Sequence, residues 1–92
     1  MAKIIIPTPL RKFTGNLAQV ETAGSTIREA LTDLATRHQD LRKHLLDEQG
    51  DVRSFIRIYL GDEDINQLEK SDTRVETNSV ISIVPAIAGG KN

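Results

Sequence analysis

Ninety-two residues, 38% hydrophobic and 27% charged with a formal net charge of -1, suit one globular domain with a single modest core, and they exclude a disordered chain or a strongly basic nucleic-acid binder. No window approaches the roughly 20 apolar residues of a bilayer span and the N-terminus lacks a signal-peptide pattern, so the expectation is a cytoplasmic protein with no membrane partner. The absence of cysteine removes disulfides, thiolate zinc sites and cysteine nucleophiles together.

Lys3 to Ile6 is a β-branched run halted by Pro7 and Pro9, which reads as a first strand with Ile4 and Ile6 inward and Lys3 outward. A polar turn containing Gly15 and Asn16 follows. Leu17 to Thr22 reads as a second strand paired back on the first, with Leu17 and Val20 as its main apolar positions and Gly24 closing it.

Thr26 and Glu29 have the spacing of a capping box, so a helix should begin there. Ile27, Ala30, Leu31, Leu34 and Ala35 then recur at i, i+3, i+4, i+7 and i+8 as one apolar stripe, while Arg28, Glu29, Asp33 and Arg37 fall on the solvated side. Asp40 to Asp47 reads as a second short helical segment that ends before the breaker Gln49-Gly50-Asp51.

Phe55 to Leu60 alternates strictly, with Ile56, Ile58 and Leu60 on one face and Phe55, Arg57 and Tyr59 on the other, and a period of two means a strand. Gly61 opens a turn through Asp62, Glu63 and Asp64, after which Ile65 and Leu68 suggest a short edge strand or a turn of helix. Val80 to Val84 is the last strand, with Ile81 and Ile83 inward and Ser82 outward, and it should end at Pro85. The order predicts an α+β roll, a mixed sheet crossed by one long amphipathic helix.

Catalytic and metal chemistry find little support. His38 and His44 are six apart and do not share a helical face, and no third ligand is suggested, so no metal site is expected. Asp62 to Asp64 lacks the spaced ligands and distal glutamate of a calcium loop and reads as a solvated turn. Ser25 and Thr26 have no histidine at a motif spacing and read as capping residues.

Two features remain. If the helix covers one face of the sheet, Phe55, Arg57 and Tyr59 lie on the other, either as a docking surface of the aromatic and arginine kind that interfaces favour or as cross-strand pairs within the sheet. Ala86 to Gly90 is uncharged and mostly small, and ends in Gly89-Gly90 ahead of Lys91 and Asn92. A slim tail of this composition suits a narrow enzyme channel, although termini also fray.

The element order, the segment VISIVPAIAGG and the Gly89-Gly90 pair together resemble the ubiquitin-like β-grasp sulfur carriers of the ThiS and MoaD family, over essentially the whole domain. IYLGDEDI followed by IVPAIAGG is most similar to the carriers of the CysO type. The resemblance implies a β-grasp roll with a mixed sheet of four to five strands, residues 1–88 as the domain and 89–92 as a flexible tail. It implies no catalysis by the chain itself and no bound cofactor. A ubiquitin-activating-type enzyme would use ATP to adenylate the Gly90 carboxylate, which becomes a thiocarboxylate that donates sulfur in cysteine, methionine or cofactor biosynthesis.

Glycine has no Cβ, so Gly89 and Gly90 can carry that carbonyl into a tight site. Lys91 departs from the simplest pattern, because an amide-linked Gly90 has no free carboxylate. The resemblance therefore implies removal of Lys91-Asn92 at the Gly90–Lys91 bond by a JAMM-type zinc metalloprotease, and a synthase or sulfhydrylase as sulfur acceptor. A small subunit of molybdopterin synthase, a protein modifier joined to target lysines, and a β-grasp interaction domain with an incidental tail stay open as alternatives.

Overall fold

The computed structural model describes residues 1–85. β1 (Ala2–Ile5) pairs antiparallel with β2 (Gln19–Thr22), α1 (Ile27–Arg37) and α2 (Gln39–Leu45) follow, and β3 (Ile56–Leu60), β4 (Glu63–Asp64) and β5 (Val80–Pro85) complete a five-stranded sheet. Its order is β2-β1-β5-β3-β4. β1 and β5 run parallel in the middle and all other neighbours are antiparallel. This is the expected mixed α+β sheet with a main helix on one face. The expected division between residues 88 and 89 lies outside the described residues.

The core follows from the two periodicities. Every member of the α1 stripe, Ile27, Ala30, Leu31, Leu34 and Ala35, is at most 2% exposed, and it meets Ile4, Ile58, Ile81 and Ile83 of the sheet in one cluster. Removing a large aliphatic side chain of this kind from water stabilises by about 2 kcal/mol. Leu41 and Leu45 of α2 are fully buried in the same cluster.

The chain departs from the expectation between β1 and β2. The expected turn at Gly15 and Asn16 is present, but a 3-10 helix over Thr8–Thr14 precedes it, led by Pro7 and carrying Pro9 in its first turn, where a missing N–H costs nothing. Leu10 is buried, Phe13 packs against the core, and the Thr14 hydroxyl joins the carbonyls of Arg11 and Leu17 at 3.1 Å each. Gly15 and Asn16 follow with φ of 66° and 68°, two left-handed residues that turn the chain back. The second strand consequently starts at Gln19, and Leu17 is exposed rather than part of the core. The inward positions of β2 are Val20 and Thr22, which explains the imperfect apolar alternation.

Smaller differences have similar causes. The second helix runs Gln39–Leu45, two residues short of Asp47, because the Asp47 carboxylate accepts the amides of Gln49 and Asp51 at 2.9 and 3.0 Å and builds the following turn instead. Phe55 lies in a turn one residue before β3, with the Ile56 amide donating to the Arg53 carbonyl at 3.0 Å. Beyond β3, Glu63 and Asp64 of the expected solvated turn instead pair with Leu60 and Tyr59 as the two-residue β4, where Arg57 draws in the Asp64 carboxylate. Of the two forms suggested for Ile65 and Leu68 the chain takes the helical one, a 3-10 turn over Ile65–Gln67.

α1 begins as its capping residues demand, with one change. The Thr26 hydroxyl accepts the Glu29 amide at 3.2 Å, whereas the Glu29 carboxylate reaches back to the amide of Ser25 at 2.7 Å rather than to that of Thr26. The adjoining backbone is tied to a distant segment, the Ile27 amide donating to the Thr73 carbonyl and the Val75 amide to the Ser25 carbonyl, on either side of the Thr26–Arg74 bridge. The Ser25 amide, helped by the Ser25 hydroxyl, holds the Glu29 carboxyl below the usual carboxylate range. Gly24 makes this approach possible. Its φ is 121°, and a Cβ there would lie 2.6 Å from the Glu29 Cβ.

Two outcomes are expected in urea denaturation. Gly24→Ala should cost about 2 kcal/mol or more, since it combines a disfavoured φ with a contact that only backbone movement relieves; an unchanged midpoint would refute the packing argument. The Thr22 hydroxyl is buried and has no hydrogen-bond partner among the described residues, so Thr22→Val, which keeps the branched shape and removes that oxygen, should add about 1 kcal/mol.

Candidate functional site

β5 is the last described element, and the sequence continues from it to Gly89 and Gly90. Pro85 is the cross-strand partner of Ile56 at the start of β3, Val84 faces Arg57, and Ser82 faces Tyr59. Arg57 and Tyr59 therefore lie beside the end of β5 on the sheet face opposite the buried Ile56, Ile58, Ile81 and Ile83. Phe55 sits in the preceding turn and is 49% exposed. Gly89, Gly90 and the Gly90–Lys91 bond themselves lie outside the described residues.

The open face has apolar content that sequence patterning missed. Val80 and Val84 of β5 are 40% and 41% exposed beside the half-buried Tyr59 and Ile5. Their positions were readable by alternation from Ile81 and Ile83. That they face water follows only from the helices lying on the other side.

Arg57 is both paired and presented. Its Nη1 donates to Oδ2 of Asp64 at 2.9 Å, and Oδ1 of Asp64 accepts the Asn66 amide at 2.9 Å, capping the 3-10 turn that follows. Asp64 is thereby fixed from two sides with its side chain only 13% exposed, while that of Arg57 remains 55% exposed. The cross-strand reading of Arg57 is correct as far as Asp64 is concerned, and the fork keeps further donors free for a partner. The Asn66 amide first, and Arg57 second, hold the Asp64 carboxyl below the usual carboxylate range.

The remaining candidates do not form a reaction centre. His38 is the junction between α1 and α2, and His44 stacks on Phe13 with ring centroids 4.4 Å apart. Among the described residues no group of three or more His, Asp or Glu side chains is placed to hold a metal ion. A cleft of about 460 Å³ on the helix side is floored by Ile56, Ile58 and Ile65 and rimmed by Arg28, whose guanidinium reaches Asp51 and Asp72 at 3.5 and 3.8 Å. No helix among the described residues is long and apolar enough to cross a membrane.

A small ubiquitin-like β-grasp domain, with its last strand central and paired glycines following that strand in the sequence, is what this sheet order and sequence define. The chain belongs to the ThiS family, which it matches over residues 4–90. It is 32% identical over 89 residues to the sulfur carrier protein CysO of Mycobacterium tuberculosis, covering 95% of this chain and 96% of that protein. The structure is similar to a chain of the Amycolatopsis orientalis BexX/CysO complex, with a TM-score of 0.89, 33% identity and 98% and 100% of the two chains covered. Small archaeal modifier protein 1 from Methanosarcina acetivorans shares the fold, with a TM-score of 0.85, 22% identity and 97% and 95% of the two chains covered.

The lowered Asp64 value gives a signed expectation. A carboxylate with a depressed native pKa contributes stability that is fully present above its unfolded value and is lost as the pH falls through the native one. Asp64→Asn should therefore flatten the loss of stability below about pH 4 while leaving the slope near neutrality unchanged. Urea denaturation at a series of pH values checks it, and parallel acid profiles for the two chains would contradict the assignment.

Proposed function

We propose that this chain is a sulfur carrier whose working terminus is Gly90. The observation that carries the reading is the family match, which runs through the domain and ends at Gly90. The similarity over nearly full length to CysO proteins, named as sulfur carriers, supports it. The chain is then a co-substrate of enzymes and not itself a catalyst.

The chemistry has three steps. Hydrolysis of the Gly90–Lys91 peptide bond by a JAMM-type zinc metalloprotease frees the Gly90 carboxylate. That carboxylate attacks the α-phosphate of ATP on a ubiquitin-activating-type enzyme, releasing pyrophosphate and leaving an acyl adenylate. A donor of sulfide-level sulfur then attacks the acyl carbon, a C–S bond forms as the acyl C–O bond breaks with its electron pair leaving on the AMP phosphate oxygen, and loss of the sulfur's proton leaves a thiocarboxylate. Adenylation is needed because a carboxylate is a poor electrophile, and the missing Cβ at Gly89 and Gly90 keeps the carbonyl open to attack in a confined site. The thiocarboxylate passes its sulfur to a synthase or sulfhydrylase of cysteine or methionine biosynthesis in the cytoplasm.

Docking falls to the open sheet face. Arg57 and Tyr59, with Val84 beside them and Phe55 in the adjoining turn, lie next to the end of β5, five residues before Gly90 in the sequence, which supports this face as the seat of a partner that takes Gly90 into its active site. Exposed aromatic and aliphatic surface around an ordered guanidinium is the composition that concentrates binding energy. Similarity to CysO in a complex with BexX is consistent with a chain that works by docking.

Intact-mass measurement of the protein from its own cells tests the proposal. The expected species ends at Gly90 and carries one sulfur in place of one oxygen. A chain that always keeps Lys91, or a Gly90 found only in isopeptide bonds to other proteins, would overturn it.

A further inference from the structure

The five-stranded sheet has two edges, and they differ in risk. β4 is only two residues long and passes directly into a 3-10 turn, so it offers almost no template. β2 is a four-residue edge strand. The Ile6 amide donates to the Ala18 carbonyl at 2.8 Å, and Ile4 and Ala2 face Val20 and Thr22. By the alternation of an antiparallel ladder, Gln19, Glu21 and Ala23 must then direct their amides and carbonyls away from β1. An outward row of this kind invites another strand.

Part of that row is already filled, and by side chains of α1. Asp33 Oδ2 accepts the Ala23 amide at 2.9 Å. Arg37 Nη2 donates to the Glu21 carbonyl and, at 3.0 Å, to the same Asp33 oxygen. The two residues are one helical turn apart, so a single ion pair supplies both contacts. Arg37 offers an N–H where an incoming strand would offer its amide, and Asp33 offers an oxygen where that strand would offer its carbonyl. The pair thereby occupies one outward group in each of two successive rungs that a sixth antiparallel strand would use, the Glu21 carbonyl and the Ala23 amide.

We propose that the Asp33–Arg37 pair is an edge guard that keeps a second copy of this chain from adding antiparallel through its own β2. The second copy is the occupant the geometry favours, because two identical edges pair about a two-fold axis and a register centred on Val20 sets Glu21 opposite Gln19 rather than opposite its own charge. The guard leaves the open face unobstructed and acts only at the edge. Neither side chain belongs to the buried core.

Sedimentation velocity over a concentration series decides the matter for Asp33→Ala/Arg37→Ala, in which alanine preserves helix propensity. The expected result is a folded chain by circular dichroism whose self-association is at least about tenfold tighter than that of the parent. Adding Glu21→Pro, which deletes an outward amide of β2, should abolish the gain. A folded double variant no more associated than the parent overturns the proposal. So does a dimer that survives Glu21→Pro, since it would use another surface. If the double variant does not fold, Arg37→Ala alone frees the Glu21 carbonyl, keeps the Asp33 bond to Ala23, and is judged by the same two results.

Discussion

The parallel pairing of β1 with β5 is the constraint on which the rest depends. Lys3, Ile4 and Ile5 meet Val80, Ile81 and Ser82 in the middle of the sheet, so the two ends of the described chain form its centre. Parallel neighbours cannot be joined by a tight turn, and everything between them must serve as a crossover. The helices occupy that crossover and cover one face. Because β5 is central and flanked by β3, the chain leaves the sheet beside Ile56 and Arg57 rather than at a free edge.

This arrangement separates three tasks that a small domain would otherwise find in conflict. The helix face carries the aliphatic core, with Ile4, Ile58 and Ile81 against the α1 stripe. The opposite face, free of helix, presents Val80, Val84 and Tyr59 around an arginine oriented by Asp64. The edge is closed by polar groups of α1 that would otherwise only be solvated. Exposed apolar residues on a central strand are tolerable when the neighbouring edge does not also recruit copies of the chain.

Polar side chains do much of the local shaping. Thr14, Asp47, Asp64 and Thr26 each hold a turn or a helix end by accepting or donating at the backbone, and each marks a place where an element starts or stops. Their types were visible in the sequence, their partners were not. Glu29 has the spacing to bond Thr26 and bonds Ser25 instead, where the Val75 amide of a distant segment holds the Ser25 carbonyl and Gly24 leaves room for the approach. Likewise the sequence leaves Arg57 open between docking and pairing within the sheet, and only the fold sets Asp64 beside it while leaving the guanidinium half exposed.

By itself, the sequence determined the two periodic patterns and the terminal motif. Ile27 to Ala35 and Ile56 to Leu60 alternate with periods that only a helix and a strand can satisfy, so their buried faces were legible, and VISIVPAIAGG carried the family likeness. The 3-10 helix at Thr8–Thr14 was not legible, because prolines that stop a strand say little about the conformation of the next segment. Tertiary structure alone decided that β1 and β5 are neighbours, that Val80 and Val84 face water, and that Asp33 and Arg37 reach the backbone of β2. Each of these depends on contacts between segments far apart in the chain, and local periodicity fixes which way a side chain points relative to its own element but not which element it meets.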